Sequence, residues 1–194
     1  MLQERIEGKW LACFRRVFTL NGIGPGTQVA ILSETQSRPV LVQLSDLALH
    51  DLGADYCIIQ MPTPRQTAPV PVKSTGTSWA IQQNRAVIEA LKRVDVIVDC
   101  TVEGIIHAPE WPEIEDAGRT RLLVVCNEHP EILERTEPTT ELGPRVARGI
   151  QMLKDANEMR VTSAAGTDLT IDLRGAPCGG TPGFGTTPGS VAHW

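Results

Sequence analysis

The residue of this chain best suited to chemistry is His107, which follows a short apolar run within residues 94–109. The run itself, residues 94–98, has the length and composition of a buried strand and leads into an Asp-Cys-Thr turn. In open parallel sheets, ligands bind just beyond the carboxyl ends of the strands. Since an imidazole titrates near neutral pH, a histidine there could contact a substrate or transfer a proton. The alternative is that His107 is a surface or packing histidine in a loop.

The other three histidines form no recognisable metal motif with His107. His50 lies in the last turn of a predicted helix, where the helix dipole favours a cation, and this role is preferred to that of a metal ligand. His129 falls in a loop after a predicted strand, where a turn role is preferred to a site. His193 is the penultimate residue. The sequence also lacks the His-Glu-x-x-His, Gly-x-Ser-x-Gly and Walker patterns.

Composition and charge narrow the classes of partner. The net charge of -5 provides no basic field for nucleic acid or an anionic membrane, and no apolar run approaches the length of a membrane span. The five cysteines are scattered and form no Cys-x-x-Cys pair. That usage is typical of a reducing cytoplasm, which is where we expect the protein to be.

The elements that must position His107 alternate between strands and helices. This alternation predicts an α/β fold, an open, mainly parallel Rossmann-like sheet with helices on both faces. A glycine-rich turn at residues 21–26 precedes the first strand instead of following it, so a dinucleotide-binding loop is not expected. The predicted strands are 28–32, 56–61, 94–98 and 121–126, and the predicted helices are 2–20, 39–52, 78–93, 109–117 and 142–157.

Three regions are expected along the chain. Residues 1–157 form an α/β sandwich domain, in which the proline-rich residues 62–73 make an extended loop. Residues 158–174 form a β-hairpin that leads into the next module, because the turn residues 164–167 join two strand-like runs. Residues 175–194 are a Gly/Pro-rich irregular segment and are expected to begin a C-terminal catalytic domain.

Several motifs resemble those of one enzyme family. Asp-Val-Ile-Val-Asp-Cys-Thr at residues 95–101, followed by Ile-His-Ala-Pro-Glu at 106–110, resembles a segment of the 2,5-dihydroxypyridine 5,6-dioxygenases. The Gly-Thr-Asp-Leu sequence at 166–169 is shared with the wider superfamily of metallo-aminopeptidases of the aminopeptidase T type. Further similarities to the dioxygenases are found at residues 121–125, 130–135, 159–168 and 193–194.

The resemblance implies a chemistry and a division of roles. The family uses a mononuclear non-haem Fe(II) to open a hydroxylated pyridine-like ring with dioxygen. Its iron ligands, two histidines and an aspartate, lie in the C-terminal half of family members, which places them beyond residue 194 here. No metal ligand and no bound cofactor are therefore expected in this chain alone. His107 and His193 match histidines near the substrate, and the resemblance implies that each contacts a ring hydroxyl or passes a proton.

Three functions stay open at this stage. The first is the N-terminal domain of a dioxygenase, inactive as this chain alone but part of an enzyme in the full-length protein. The second is the N-terminal domain of a metallo-aminopeptidase, and the third is a non-catalytic subunit that binds a partner through residues 62–73 or 175–190. The expected partners are a small aromatic substrate and a missing C-terminal half or companion subunit, in a homo-oligomer, with neither nucleic acid nor membrane.

Overall fold

The computed structural model describes residues 5–65 and 78–194. Its helices and strands alternate from α1 to α5, as the sequence pattern predicts. The helices are α1 (Gly8–Leu20), α2 (Pro39–Asp51), α3 (Arg85–Leu91), α4 (Trp111–Glu115), α5 (Pro130–Arg135) and α6 (Leu142–Asp155). The strands are β1 (Gln28–Glu34), β2 (Asp55–Met61), β3 (Val96–Asp99), β4 (Arg121–Val124), β5 (Glu158–Thr162), β6 (Asp168–Asp172) and β7 (Val191–His193).

A parallel sheet organises most of the described chain. Five strands pair in the order β2-β1-β3-β4-β7, and every pairing is parallel. The chain builds outward from β1 in one direction to β2 and in the other to β3, so the strand order reverses between β1 and β3. In open α/β sheets, the crevice outside the carboxyl ends of two such strands is the usual place for a ligand.

The two faces of this sheet are covered by different helices. Ile31 and Val98 pack with residues of α1 and α2 in one buried cluster. Leu32 and Ile97, one position away on each strand, pack with residues of α3 and α4 in a second cluster. Because both faces are buried, the central strands are continuous apolar runs instead of alternating ones. The predicted fold class, a parallel α/β sheet with helices on both faces and a separate hairpin, is confirmed.

A second compact unit comprises residues 139–182, whereas residues 1–138 and 183–194 belong to the unit that contains the sheet. Within the second unit, β5 and β6 pair antiparallel, with Val161 opposite Leu169. The predicted hairpin is therefore present. Helix α6 has no buried residue, since Val146 and Ile150 are half-buried and Leu153 is exposed.

The predicted helix at 78–93 is much shorter than expected. Helix α3 begins at Arg85, with the Asn84 side chain accepting a hydrogen bond from the Val87 N–H at 3.3 Å. Gln83 has a positive φ of 56°, which no α-helix accommodates. Upstream of it, Ser78 is held by long-range hydrogen bonds to Glu34 and Gly104. These tertiary contacts outweigh the helical periodicity of residues 78–84.

Two elements of the sheet-containing unit were not predicted. Helix α5 occupies residues 130–135, where Pro130 suits the first helical position. Strand β7 occupies three residues of the 175–194 segment that was expected to be irregular throughout. So short a strand carries almost no periodicity, and only its pairing with β4 reveals it. The first helix also starts later than expected, at Gly8.

The domain boundaries at 157 and 174 stay predictions. The proline-rich loop predicted at 62–73 lies outside the described residues from position 66 onward. Within the described residues, no helix combines the length and apolar character needed to span a bilayer.

The cysteines provide a test of the core. Burial raises the pKa of the Cys13 thiol to about 12, with a smaller effect of the Glu137 carboxylate, and burial likewise raises the pKa of Cys100 to about 12. Since the thiolate is the reactive form, iodoacetamide at about pH 8 should leave both cysteines unmodified in the native protein and label the exposed Cys57. Peptide mass mapping with and without urea measures this. Native labelling of Cys13 or Cys100 at the rate of Cys57 would contradict the packing.

Candidate functional site

Polar side chains gather at the carboxyl edge of the parallel sheet. Glu34 ends β1, Asp99 ends β3 and His193 ends β7. The pairing of β3 with β4 and of β4 with β7 places Asp99, Val124 and His193 in one row across the sheet. Residues in one row of a parallel sheet project to the same face. The row continues to Leu32 of β1, and Glu34 lies two positions farther along that strand, so its side chain projects to the same face.

The carboxylate of Asp99 is fully buried and accepts three hydrogen bonds. Its Oδ1 accepts from the Thr101 N–H at 3.0 Å and from the Thr101 hydroxyl at 2.6 Å, and its Oδ2 accepts from the Ile105 N–H at 2.7 Å. Burial raises the pKa of Asp99, and the hydrogen bonds and the nearby charge of His193 lower it by less. The side chain therefore fastens the segment after β3 to the end of the strand.

A second buried carboxylate, that of Glu34, lies on the neighbouring strand. Its Oε1 accepts from the Ser78 hydroxyl at 2.6 Å, and the Val102 N–H also donates to this carboxylate. Burial raises the pKa of Glu34, these hydrogen bonds lower it, and the charge of Asp99 raises it further. Glu34 and Asp99 are thus close enough to interact, and both hold the chain that follows β3.

His107 lies in that following chain, which we call the His107 loop (residues 101–107). The loop covers the carboxyl ends of β1 and β3, with Gly104 at a φ of 77°, a conformation suited to glycine. Ile105 and Ala108 on either side of His107 are buried, whereas the imidazole is exposed. This position agrees with the prediction that His107 lies just beyond the carboxyl end of β3. Its chemical role stays a prediction.

His193 is exposed at the same edge of the sheet, beside a thiol. Its Nε2 lies 3.8 Å from the Cys126 Sγ, and the charge of His193 acts on Asp99. Among the hydrogen bonds of the described residues, none joins His193 to His107. The structure therefore places the two predicted site residues at one edge of the sheet without a hydrogen bond between them, and the role of His193 stays a prediction as well.

The next residue, Trp194, anchors β7 in the core. The Trp194 indole N–H donates to the Leu133 carbonyl at 3.0 Å, and the ring packs edge-on against Phe14 at 4.8 Å between centroids. Its backbone N–H donates to the Val124 carbonyl, and its own carbonyl accepts from the Cys126 N–H. The tryptophan thus fixes the position of His193.

His129 and His50 have structural positions. The Nδ1 of His129 accepts from the Glu131 N–H at 3.2 Å, so this side chain caps α5, and its ring meets the edge of Trp10. His50 is exposed in the last turn of α2, where it was predicted to lie, and its interaction with the helix dipole stays a prediction.

Glu34 and Asp99 were not recognised as site residues from the sequence. The Asp-Cys-Thr turn carried a signal, because an aspartate commonly accepts from the backbone two residues ahead. No comparable local signal marks Glu34, since its partners Ser78 and Val102 are distant in sequence.

A non-haem iron needs several converging ligands, commonly two histidines and a carboxylate. No group of three or more His, Cys, Asp or Glu side chains placed to hold a metal ion occurs among residues 5–65 and 78–194. These residues alone do not fit such an iron.

The parallel sheet, its strand reversal between β1 and β3, and the polar side chains at that edge define a doubly wound α/β protein with its candidate site at the switch point. The family model of NicX, 2,5-dihydroxypyridine 5,6-dioxygenase, matches residues 9–194. The chain belongs to this family.

Comparison with individual proteins agrees with the family match. The chain is 30% identical over 185 residues to the 2,5-dihydroxypyridine 5,6-dioxygenase of Pseudomonas putida KT2440. It is also similar to a solved structure of 2,5-dihydroxypyridine dioxygenase from the same organism, with a TM-score of 0.82 and 29% identity. The matches cover 93% and 95% of this chain but only 51% and 53% of the relatives. The chain therefore spans about half the length of these relatives.

The anchoring of β7 by Trp194 can be tested by truncating the indole. Because Trp194 is 6% exposed, Trp194→Ala should lower the free energy of unfolding by about 3–5 kcal/mol. Trp79 is 53% exposed, and Trp79→Ala should change that free energy by no more than about 0.5 kcal/mol. Urea unfolding followed by circular dichroism measures both variants. Equal, small effects would show that the indole does not anchor the strand.

Proposed function

We propose that the full protein is a dioxygenase that opens a hydroxylated pyridine ring, and that this chain supplies part of its substrate contact. The observation that carries the proposal is the family match over residues 9–194. The relatives are named for cleavage of 2,5-dihydroxypyridine, and a related hydroxylated aromatic is the proposed substrate of this chain.

His107 and His193 are the proposed substrate contacts. Both imidazoles are exposed at the carboxyl edge of the sheet, one on a loop and one on a strand. A hydroxylated ring becomes more electron-rich when its hydroxyl group loses the proton, and a neutral imidazole can accept that proton at neutral pH. Two imidazoles at one edge could therefore orient the substrate and remove a proton from it.

The proposed metal is a non-haem Fe(II) whose ligands lie outside residues 1–194. Support for a further part comes from the second compact unit, in which apolar side chains are exposed within the described chain. An exposed apolar group of this kind commonly marks an interaction surface. We infer that the remaining half of the protein, or a companion subunit, covers it. The exposed residues are Met152, Leu153, Met159, Val161 and Leu169.

Activity and metal content give the direct test of His107. In the full protein loaded with Fe(II), His107→Ala should lower kcat for ring opening of 2,5-dihydroxypyridine by about 100-fold, the usual contribution of a general base. The iron content should not change. Oxygen uptake and metal analysis measure the two quantities, and His50→Ala is the matched control because that histidine is exposed on α2, away from the sheet edge.

Three outcomes would contradict the proposal. Loss of iron with unchanged turnover per iron would make His107 a ligand or a structural residue. Hydrolysis of an amino-acid amide without oxygen uptake would favour the aminopeptidase alternative. Inactivity of the full protein in both assays would leave the partner-binding subunit as the better hypothesis.

The location of the iron ligands has its own test. The 194-residue chain, purified alone and incubated anaerobically with Fe(II), should retain no stoichiometric iron after gel filtration, because too few ligands converge in its described part. One tightly held iron per chain would contradict the placement of the ligands outside these residues.

A further inference from the structure

The His107 loop is held by carboxylates instead of by regular secondary structure. Thr101 and Ile105 donate to the two oxygens of Asp99, and the Val102 N–H donates to Glu34. Buried backbone N–H groups must find acceptors, and here side chains at the ends of β3 and β1 provide them. The shape of the loop therefore depends on two carboxylates that are buried from solvent.

We propose that Asp99 and Glu34 are positioning residues that together hold the His107 loop in the shape that presents His107 at the carboxyl edge of the sheet. We call this pair the carboxylate clamp. The proposal deepens the proposed function and rests on it, since it assigns the clamp to the histidine that is proposed to contact the substrate.

The geometry of Asp99 requires a carboxylate. Oδ1 accepts two hydrogen bonds from Thr101, and Oδ2 accepts one from Ile105, so both oxygens act as acceptors. An asparagine in the same place has one acceptor oxygen and one donor nitrogen. In either orientation of the asparagine amide, its NH2 group would face the N–H of Thr101 or that of Ile105. Two donors would then face each other, and that backbone N–H would have no acceptor.

Glu34 acts on the same loop from the neighbouring strand. Besides accepting from Val102, it accepts from the Ser78 hydroxyl, and the Ser78 N–H donates to the Gly104 carbonyl at 2.5 Å. Ser78 itself is buried. The middle of the loop is therefore connected to β1 both directly and through Ser78.

The position of His107 follows from its neighbours. Ile105 is fully buried against the core, and the Ala108 N–H donates to its carbonyl at 2.9 Å. The Trp111 N–H then donates to the Ala108 carbonyl, which leads directly into α4. His107 stands between two buried residues, one of which is tied to Asp99, so a shift of Ile105 would move the imidazole.

Hydrogen exchange tests the clamp without reference to activity. Thr101→Val removes one buried hydroxyl from Asp99, and Thr120→Val is the matched control. Thr120 is equally buried but lies at the amino end of β4, where its hydroxyl donates to the carbonyls of Leu91 and Val94. Thr101→Val and Asp99→Asn should each accelerate exchange in residues 100–108 by about tenfold or more, whereas Thr120→Val should not.

Kinetics test whether the clamp acts through His107. In the iron-loaded full protein, Asp99→Asn should lower kcat by about 10- to 100-fold, as displacement of a reacting group does, with little change in KM. In a protein that already carries His107→Ala, Asp99→Asn should have almost no further effect, because residues that act as a unit are not additive. Thr101→Val provides the same comparison if Asp99→Asn does not fold.

The outcomes separate the clamp from the proposed function. Equal exchange of residues 100–108 in Thr101→Val and Thr120→Val would overturn the clamp. A full additional loss from Asp99→Asn in the absence of the His107 imidazole would also overturn it, since the effect would not pass through that residue. If His107→Ala leaves turnover unchanged, the proposed function fails, and the exchange result alone decides whether the loop depends on the carboxylates.

Discussion

The candidate site depends above all on the buried carboxylate of Asp99. A carboxylate removed from water is costly unless hydrogen bonds replace its hydration. Asp99 receives three such bonds, all from the six residues that follow it. The requirement to solvate this group fixes the path of the chain after β3, and that path determines where the exposed imidazole of His107 stands.

The sheet provides the setting in which this interaction is needed. Strand order reverses between β1 and β3, and in open α/β sheets the carboxyl ends of two such strands are the usual place for a ligand. The His107 loop follows β3 at this edge and is tied by hydrogen bonds to Glu34 and Asp99. Burial raises the pKa of both carboxyls, and the charge of Asp99 raises that of Glu34 further, so the pair carries an electrostatic cost. A polar interior of this kind specifies one loop conformation, because each unmatched donor or acceptor would cost free energy.

Strand β7 brings a residue from the end of the chain to the same edge. Its pairing with β4 places His193 in the row of Asp99, and the buried indole of Trp194 anchors the strand through Leu133 and Phe14. The edge thus combines side chains from distant parts of the sequence.

Much of the fold was predictable because buried parallel strands leave continuous apolar runs. The apolar run at β3 and the alternation of predicted strands and helices identified the sheet and its helices. Local patterns did not reveal β7, which has three residues, or the late start of α3 at Arg85, where the contacts of Ser78 and the positive φ of Gln83 prevent a helix upstream.

The candidate site was predictable only where its chemistry is local. His107 could be placed beyond a strand from the sequence, and its resemblance to a family histidine gave it a role. The Asp-Cys-Thr turn hinted at Asp99, but the partners of Glu34 lie far away along the chain. Long-range hydrogen bonds leave no periodic trace in a sequence, so half of the carboxylate clamp became visible only in the structure.

Residue-resolved amide hydrogen exchange of the unmodified protein tests the central claim most directly. If the carboxylates hold the loop, the Thr101, Val102 and Ile105 amides should exchange as slowly as those in the middle of β3. If these three amides exchange as fast as that of Gly166, in the exposed turn of the hairpin, the loop is not held by Asp99 and Glu34, and the account is wrong.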